Sequence, residues 1–390
     1  MKILMVASYL PYPLIDGGKI RLYNLIKLLS EKHEITLVCE RTNQSEKEIE
    51  ELRKICKKLI VYNRPKAWTV GNILKTAFSL NPLLVSIHSH KAFAKMISEE
   101  LNSNSFDLIH VETFYVMQNL PKTNLPIVLV EHNIEYKVYE KYARNALIFL
   151  RPFLYFDVLK LKRIEKKMWK KANKLIAVSS KEQKAMGAKT YLVPNGVDIN
   201  KFKLKKIDTF KKTKKVLFIG NFKWVQNRDS INYIIKNIWP LITSRSYDFE
   251  IKLWVVGKNI PESVKKLATS SIIIDENAPN ETELIFQEAD VLLSPIRVGG
   301  GTNFKILESM ASGTPVVTNS LGNEGIEANE NEEILIGQKP DEYSLKISKI
   351  LTDKYLYEKI SRNGRSFIEK NFEWRKIADK LDKIYKESVI

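Results

Sequence analysis

The chain has 390 residues, enough for two domains of ordinary size, and 44% of them are hydrophobic, as a globular core requires. Its 2 cysteines, Cys39 and Cys56, form no C-x-x-C pair, which leaves no basis for a disulfide framework or a cysteine zinc site. A formal charge of +18 directs attention to acidic partners: nucleic acid, anionic lipid or a phosphorylated substrate.

The opening MKILMVASYL is an apolar run behind one lysine, but Pro11, Pro13 and Asp16 break it and no small-residue cleavage site follows. It reads as the first buried strand of a cytoplasmic protein, and no stretch reaches the length of a membrane span. Lys2–Ala7 is expected as a strand, Gly18–Ser30 as a helix and Glu34–Cys39 as a second strand, with Gly17 and Gly18 in the loop between. Glu40 ends the second strand where a nicotinamide-type dinucleotide fold places its ribose-binding acid. G-x-G-x-x-G is missing and the loop is too long, so a backbone loop at the mouth of a cleft is the better reading. A helix over Ser45–Lys57, a strand over Leu59–Tyr62 and a helical stretch over Lys66–Leu101 follow. His88 and His90, two apart, would not share a helix face and are read as surface residues.

Strands over Asp107–Val111 and Pro126–Val130 end near His110 and Glu112 and at Glu131-His132-Asn133. Ligands of parallel α/β sheets lie beyond the carboxyl ends of the strands, so both histidines fall where a substrate would. His110 is assigned to structure; the polar neighbours of His132 tip it toward function. In Ala143–Lys174 the run LIFLRPFLYF precedes Lys160, Lys162, Arg163, Lys166, Lys167, Lys170 and Lys171. A basic helix over 157–174 suits an anionic membrane surface. A packed helix with a solvated lysine face competes with that reading.

Leu175–Val178 and Tyr191–Pro194 read as strands. Pro194-Asn195-Gly196-Val197-Asp198 and the Lys-rich 201–215 then form an interdomain connection. Alternation restarts with a strand at Val216–Ile219, a loop over Gly220–Arg228, a helix over Ser230–Ile242 and a strand over Glu250–Val256. A helix over Pro261–Ala268, a strand over Ser271–Ile274 and a helix over Glu281–Glu288 continue it. Helices over Asp341–Ile350, Tyr355–Phe367 and Trp374–Ser388 end the chain. Strand–helix alternation twice over predicts an α/β protein with two Rossmann-like parallel-sheet domains.

The most informative stretch is ADVLLSPIRVGGGTNFKILESMASGTPVV. Val291–Pro295 reads as a buried strand, Val298–Gly301 as a glycine-rich loop, Thr302 as a helix N-cap, Asn303–Ser312 as the helix and Thr314–Val317 as the next strand. Free N–H groups and the positive end of the helix dipole face that loop, a ready phosphate site. Lys305 and Glu308 share a helix face and lean toward the loop, one suited to phosphate, the other to the diol of a ribose. The competing reading is a tight turn with Lys305–Glu308 as a solvated ion pair.

KILMVAS before a Gly-Gly loop, the hinge LVPNGVDINKF, VLFIG before a loop and helix, and ILESMASGTPVV together resemble the GT-B glycosyltransferases, in particular family 4. The resemblance covers essentially the whole chain and implies two domains facing a cleft. These would be an N-terminal acceptor-binding domain over 1–198 and a C-terminal nucleotide-sugar domain over 199–370, with a helix over 371–390 packed back on the first. Glu308 matches the second glutamate of the family's E-x(7)-E element; the first is replaced by Gly300, within a GGGT-x-x-K-I-L-E version of the motif.

The expectation is therefore a hexosyltransferase-type enzyme moving a sugar from a UDP- or GDP-sugar to an acceptor hydroxyl, with retention and without metal or cofactor. The acceptor is expected to be a glycan or lipid-linked sugar of cell-surface polysaccharide or glycolipid synthesis, and the location the inner face of the plasma membrane. Catalytic roles fall to His132, Lys305 and Glu308. Donor-binding roles fall to Gly17, Gly18, Gly220, Lys223, Gly299, Gly300, Gly301, Thr302, Asn303, Lys305 and Glu308. A basic nucleic-acid-binding protein and a catalytically silent GT-B protein are the alternatives. The first lacks any recognised nucleic-acid motif; the second is suggested by Gly300.

Overall fold

Runs of apolar residues build two parallel sheets wound in the same way. The computed structural model describes residues 1–67, 69, 76, 79–208, 211–279, 281–298 and 301–389. In the first sheet, β1 (Lys2–Ala7), β2 (Glu34–Arg41), β3 (Lys58–Asn63), β4 (Leu108–Glu112), β5 (Ile127–Glu131), β6 (Lys174–Ala177) and β7 (Thr190–Leu192) stand in the order β3-β2-β1-β4-β5-β6-β7. In the second, β8 (Thr213–Ile219), β9 (Glu250–Val256), β10 (Ile272–Asp275), β11 (Val291–Ser294), β12 (Val316–Thr318) and β13 (Leu335–Ile336) stand as β10-β9-β8-β11-β12-β13. All strand pairs are parallel. The chain divides into two compact units, one formed by Met1–Asn195 with Trp374–Ile390, the other by Gly196–Glu373.

The central strands β4, β5 and β11 are buried along their whole length, the mark of a sheet covered on both faces. In the second unit, alternate side chains serve different cores. Phe218, Leu253, Val255 and Leu293 pack with Ile231, Trp239 and Tyr343. Leu217, Trp254, Leu292 and Val316 pack with Phe286, Leu307 and Met310. Strand order reverses between β1 and β4 in one sheet and between β8 and β11 in the other. Crevices for ligands open at such switch points, beyond the strand ends.

Two helical expectations change. The stretch 66–101 is not one helix: short Leu83–Ile87 follows Pro82, and Lys91–Ser103 is separate. Part of it, 68, 70–75 and 77–78, lies outside the described residues. Proline disfavours helical backbone in the residue before it. His88 then leaves the helix because its imidazole turns inward, with Nδ1 2.6 Å from Glu40 Oε2. The surface reading of His88 fails: it is buried, and so is Glu40, which also pairs with Arg64 at 3.2 Å. His90 is half-buried, its Nε2 2.8 Å from the Ile87 carbonyl. Helix after β8 starts earlier than expected, at Val225, and runs through Tyr233, a π turn at Ile234–Ile238, and Trp239–Thr243. Pro240 has no N–H to give the ladder, and the widened turn just before it lets the helix continue.

The last helix, Trp374–Lys386, belongs to the first unit. It buries Trp374, Ile377, Leu381, Ile384 and Tyr385. Polar ties frame that face: Lys32 to Asp379 at 2.6 Å, His33 to Asp382 at 2.9 Å and Arg375 to Glu31 at 2.9 Å. Leu381 is fully buried. Leu381→Ala is expected to cost about 2–5 kcal/mol, through lost burial and the cavity left behind. A fall in the thermal unfolding midpoint of the whole chain checks this; an unchanged midpoint would show that the helix face contributes nothing.

Candidate functional site

In the second unit, β11 ends at Ser294 and the chain loops to the helix Phe304–Ala311. Gly299 and Gly300 lie outside the described residues. Gly301 has φ +78°, a left-handed backbone that glycine adopts without strain. The cap position falls on Asn303 rather than Thr302, and the Asn303 side chain does not cap the helix. Asn303 instead sends its amide Nδ2 to the Gly301 carbonyl, 3.4 Å away. Among the described residues the first N–H groups of this helix therefore have no side-chain acceptor, and the dipole's positive end is unmasked. The Thr302 hydroxyl is buried at this entrance without a hydrogen-bond partner among the described residues.

Lys305 and Glu308 are both half-buried on that helix. The ion pair of the competing reading is not made between them. Among the described residues, Lys305 Nζ donates to Asn227 Oδ1 at 3.0 Å and lies 4.9 Å from the centre of the Phe218 ring. Burial lowers its pKa to about 8, against a smaller opposing pull from Glu308. The Glu308 carboxylate accepts no hydrogen bond among the described residues. Burial raises its pKa to about 7, with Lys201 and Lys305 pulling down and Glu283 pushing up.

Asn227, which the sequence reading did not single out, joins both loops of the switch point. Its Nδ2 donates to the Asn221 carbonyl at 2.8 Å while its Oδ1 takes the lysine. Its side chain fills the space beside Gly220, where a Cβ would stand 2.7 Å from it. Ser230 closes the loop after β11 from the other side, donating to the Pro295 carbonyl at 2.7 Å. Gly220, Gly301, Thr302, Asn303 and Lys305 are thus brought to one edge of the sheet. Lys223 is exposed at the tip of the loop after β8.

In the first unit, Gly17 and Gly18 open the helix Gly17–Leu29, whose mouth differs from that of the second unit. Asp16 caps it, its Oδ1 accepting from the Lys19 amide at 3.1 Å. A carboxylate at a helix mouth occupies the place an anion would take. His132 stands beyond β5 and is partly exposed, its Nε2 2.7 Å from Glu112 Oε1 and 3.5 Å from the Tyr9 hydroxyl. Glu112 is the hub of this edge. His110 Nε2 donates to its other oxygen at 2.8 Å, and the Tyr385 hydroxyl donates to His110 Nδ1 at 2.6 Å. Fully buried Arg21 lies 3.7 Å from Glu112 and donates to the Pro194 carbonyl at 2.7 Å. Burial alone would raise the Glu112 pKa, but His132 and His110 hold it far below the usual carboxylate range. With that carboxylate accepting from Nε2–H, the neutral form of the His132 ring has its lone pair on Nδ1. His110 is wholly enclosed. Glu131, next to His132, turns away to Trp169 Nε1 at 3.1 Å, and burial and Glu165 raise its pKa well above normal.

Comparison with known proteins agrees with this architecture. The family model described as Glycosyltransferase Family 4 matches residues 15–201, and that described as Glycosyl transferases group 1 matches residues 213–353. An uncharacterized protein in the cps region of Klebsiella pneumoniae is 24% identical, over 99% of this chain and 100% of its own length. Among solved structures, sucrose-phosphate synthase from Thermosynechococcus elongatus matches with a TM-score of 0.72 at 16% identity, over 99% of both chains. Anabaena HepE in complex with UDP and glucose matches with a TM-score of 0.63 at 15% identity, over 99% of this chain and 100% of its own. At such identities the structural likeness speaks for the fold. The two family matches in tandem, on two sheets of this winding, make the chain a member of the family 4 (group 1) glycosyltransferases, with the GT-B fold.

Proposed function

We propose that this glycosyltransferase takes its sugar from a nucleotide-sugar donor whose diphosphate and ribose are held by the second unit. The observation that carries the reading is Lys305. It is a half-buried amine at an uncapped helix mouth, at the sheet's switch point, and its partner is a neutral amide rather than a carboxylate. Such an amine gains most from a doubly charged phosphate group. In this proposal, the N–H groups of Phe304 and Lys305 and the Thr302 hydroxyl bind diphosphate oxygens beside it, with Gly220, Gly299, Gly300 and Gly301 letting the ligand approach the backbone. Glu308, one turn deeper, accepts from the ribose hydroxyls. Lys223 meets the outer charge of the donor. HepE, whose structure contains UDP and glucose, supports testing UDP-glucose first.

In the reaction, the bond from the anomeric carbon to the diphosphate oxygen breaks and a bond from that carbon to the acceptor oxygen forms. The nucleoside diphosphate leaves with the bonding pair, and its departing oxygen takes the proton that the acceptor hydroxyl loses. Charge grows on the leaving oxygen, and preset amides with Lys305 stabilise it more in the transition state than in the ground state. The sugar passes through an oxocarbenium-like state. No metal or cofactor is part of this proposal, and retention is adopted from the family resemblance. The acceptor, a glycan or lipid-linked sugar of cell-surface polysaccharide or glycolipid synthesis, is assigned to the first unit. There His132 Nδ1 accepts from a substrate hydroxyl, while Glu112 holds the ring and Gly17 and Gly18 leave room for the sugar.

Three outcomes test this. Glu308→Ala should lower turnover or donor affinity about 10²-fold with an unchanged unfolding midpoint; wild-type kinetics across a panel of nucleotide sugars would remove Glu308 from the donor site. Lys305 is charged in the free protein below pH about 8 and loses its proton above it. A bound diphosphate favours the charged form, so calorimetric affinity for UDP or GDP should weaken as pH rises through about 8. The decline should vanish in Lys305→Arg, which stays charged, whereas the same decline in that variant would point to another group. His132→Ala should reduce kcat while the unfolding midpoint holds; full activity in steady-state assays would leave His132 a purely structural partner of Glu112.

A further inference from the structure

We propose that the turn joining the helices Glu135–Asn145 and Arg151–Lys171 inserts into the surface of an anionic lipid bilayer. The inference is independent of the donor assignment, which rests on the second unit. Residues 147–159 expose a concentration of large apolar side chains: Leu147, Ile148, Phe149, Phe153, Phe156 and Leu159, with Ile148 78% and Phe153 76% exposed. The turn is held in place. Leu150 N–H donates to the Leu147 carbonyl at 2.9 Å, and Arg151 Nε donates to the Ala146 carbonyl at 3.0 Å. Phe153, Phe156 and Leu159 are spaced three apart and share one side of the helix, while Val158, Leu161, Glu165 and Met168 are buried on the other.

Charge decides what fits this face. From 141 to 171 the only acids are Asp157 and Glu165, and both turn inward. Asp157 accepts from the Leu83 amide at 3.1 Å, and Glu165 from the amides of Glu135 at 2.8 Å and Tyr136 at 2.9 Å. Beyond Leu159 the exposed side becomes cationic, with Lys162, Arg163, Lys166, Lys167, Lys170 and Lys171. A nucleic acid would meet the cations but leave the leucines and phenylalanines in water. A bilayer takes both: apolar tips enter the acyl boundary, and lysines meet anionic headgroups. The helix is not long and apolar enough to cross a membrane, so it lies at the interface. This relocates the contact expected of the basic helix 157–174. Its lysines supply the attraction, and the preceding turn supplies the insertion.

The test is flotation of the whole chain, without sugar donor, with vesicles of phosphatidylcholine alone or with one third phosphatidylglycerol. Wild-type protein should float with the anionic vesicles only. The triple variant Phe149→Ser, Phe153→Ser, Phe156→Ser should lose about tenfold or more in partitioning. The quadruple variant Lys166→Gln, Lys167→Gln, Lys170→Gln, Lys171→Gln should lose a similar factor, together with the salt dependence of binding. The single variant Phe149→Ser, in the exposed turn, serves in place of the triple variant if that one does not fold, and should show a smaller loss in the same direction. Equal flotation with neutral vesicles, no flotation with anionic ones, or wild-type partitioning by a folded phenylalanine variant would each overturn the proposal. A concentration-dependent dimer that these substitutions dissolve, with no vesicle binding, would overturn it too, by assigning the face to a second copy of the chain.

Discussion

The hydrogen bond from Lys305 to Asn227 sets what the second unit offers a ligand. A lysine amine buried beside a carboxylate would be neutralised by it, and any incoming anion would have to compete with that pair. Here the partner is an amide oxygen, which satisfies one of the three N–H groups, and the amine forms no ion pair among the described residues. The same amide group reaches the Asn221 carbonyl through its nitrogen, so the loop after β8 and the helix after β11 are tied through one side chain. Burial, outweighing the smaller pull of Glu308, is what lowers the lysine's pKa. The same condition leaves electrostatic attraction available for a phosphate.

The first unit solves the opposite problem. Glu112 is a carboxylate sealed in the sheet edge, and it stays ionised because two imidazoles donate to it and Arg21 lies close by. Such a cluster fixes the orientation of its members more than it adds stability, since every charge in it has lost its water. His132 is the member that reaches the surface. Its outward nitrogen is positioned by a chain of contacts that ends at Tyr385 in the last helix.

Much of this was legible in the residues. Apolar runs located the central strands, Lys2–Ala7 without any change of boundary, and glycines followed by Lys305 and Glu308 marked the helix mouth. The parts that were not legible depend on partners remote in sequence. Nothing local shows that His88 would turn toward Glu40, 48 residues earlier, or that Glu112 would gather His110, His132 and Arg21. Asn227 looked like any loop asparagine until Lys305 came to lie against it. Thr302 follows the glycines and reads as the cap, yet the cap falls one residue later, at Asn303, a residue type favoured at least as much in that position. In LIFLRPFLYF the residues could not disclose their exposure, because core and interfacial apolar runs share one composition.

The first unit is discontinuous in the chain: Gly196–Glu373 is inserted between Asn195 and Trp374. During synthesis the inserted unit is therefore complete before the first unit, whose strands have all been made, receives its last helix. The first sheet must wait for Trp374–Lys386 to emerge before Tyr385 can reach His110 and the hydrophobic face of that helix can close. Until then a partly finished core persists on the nascent protein, the kind of species chaperones bind. The half translated first is thus the half that matures last.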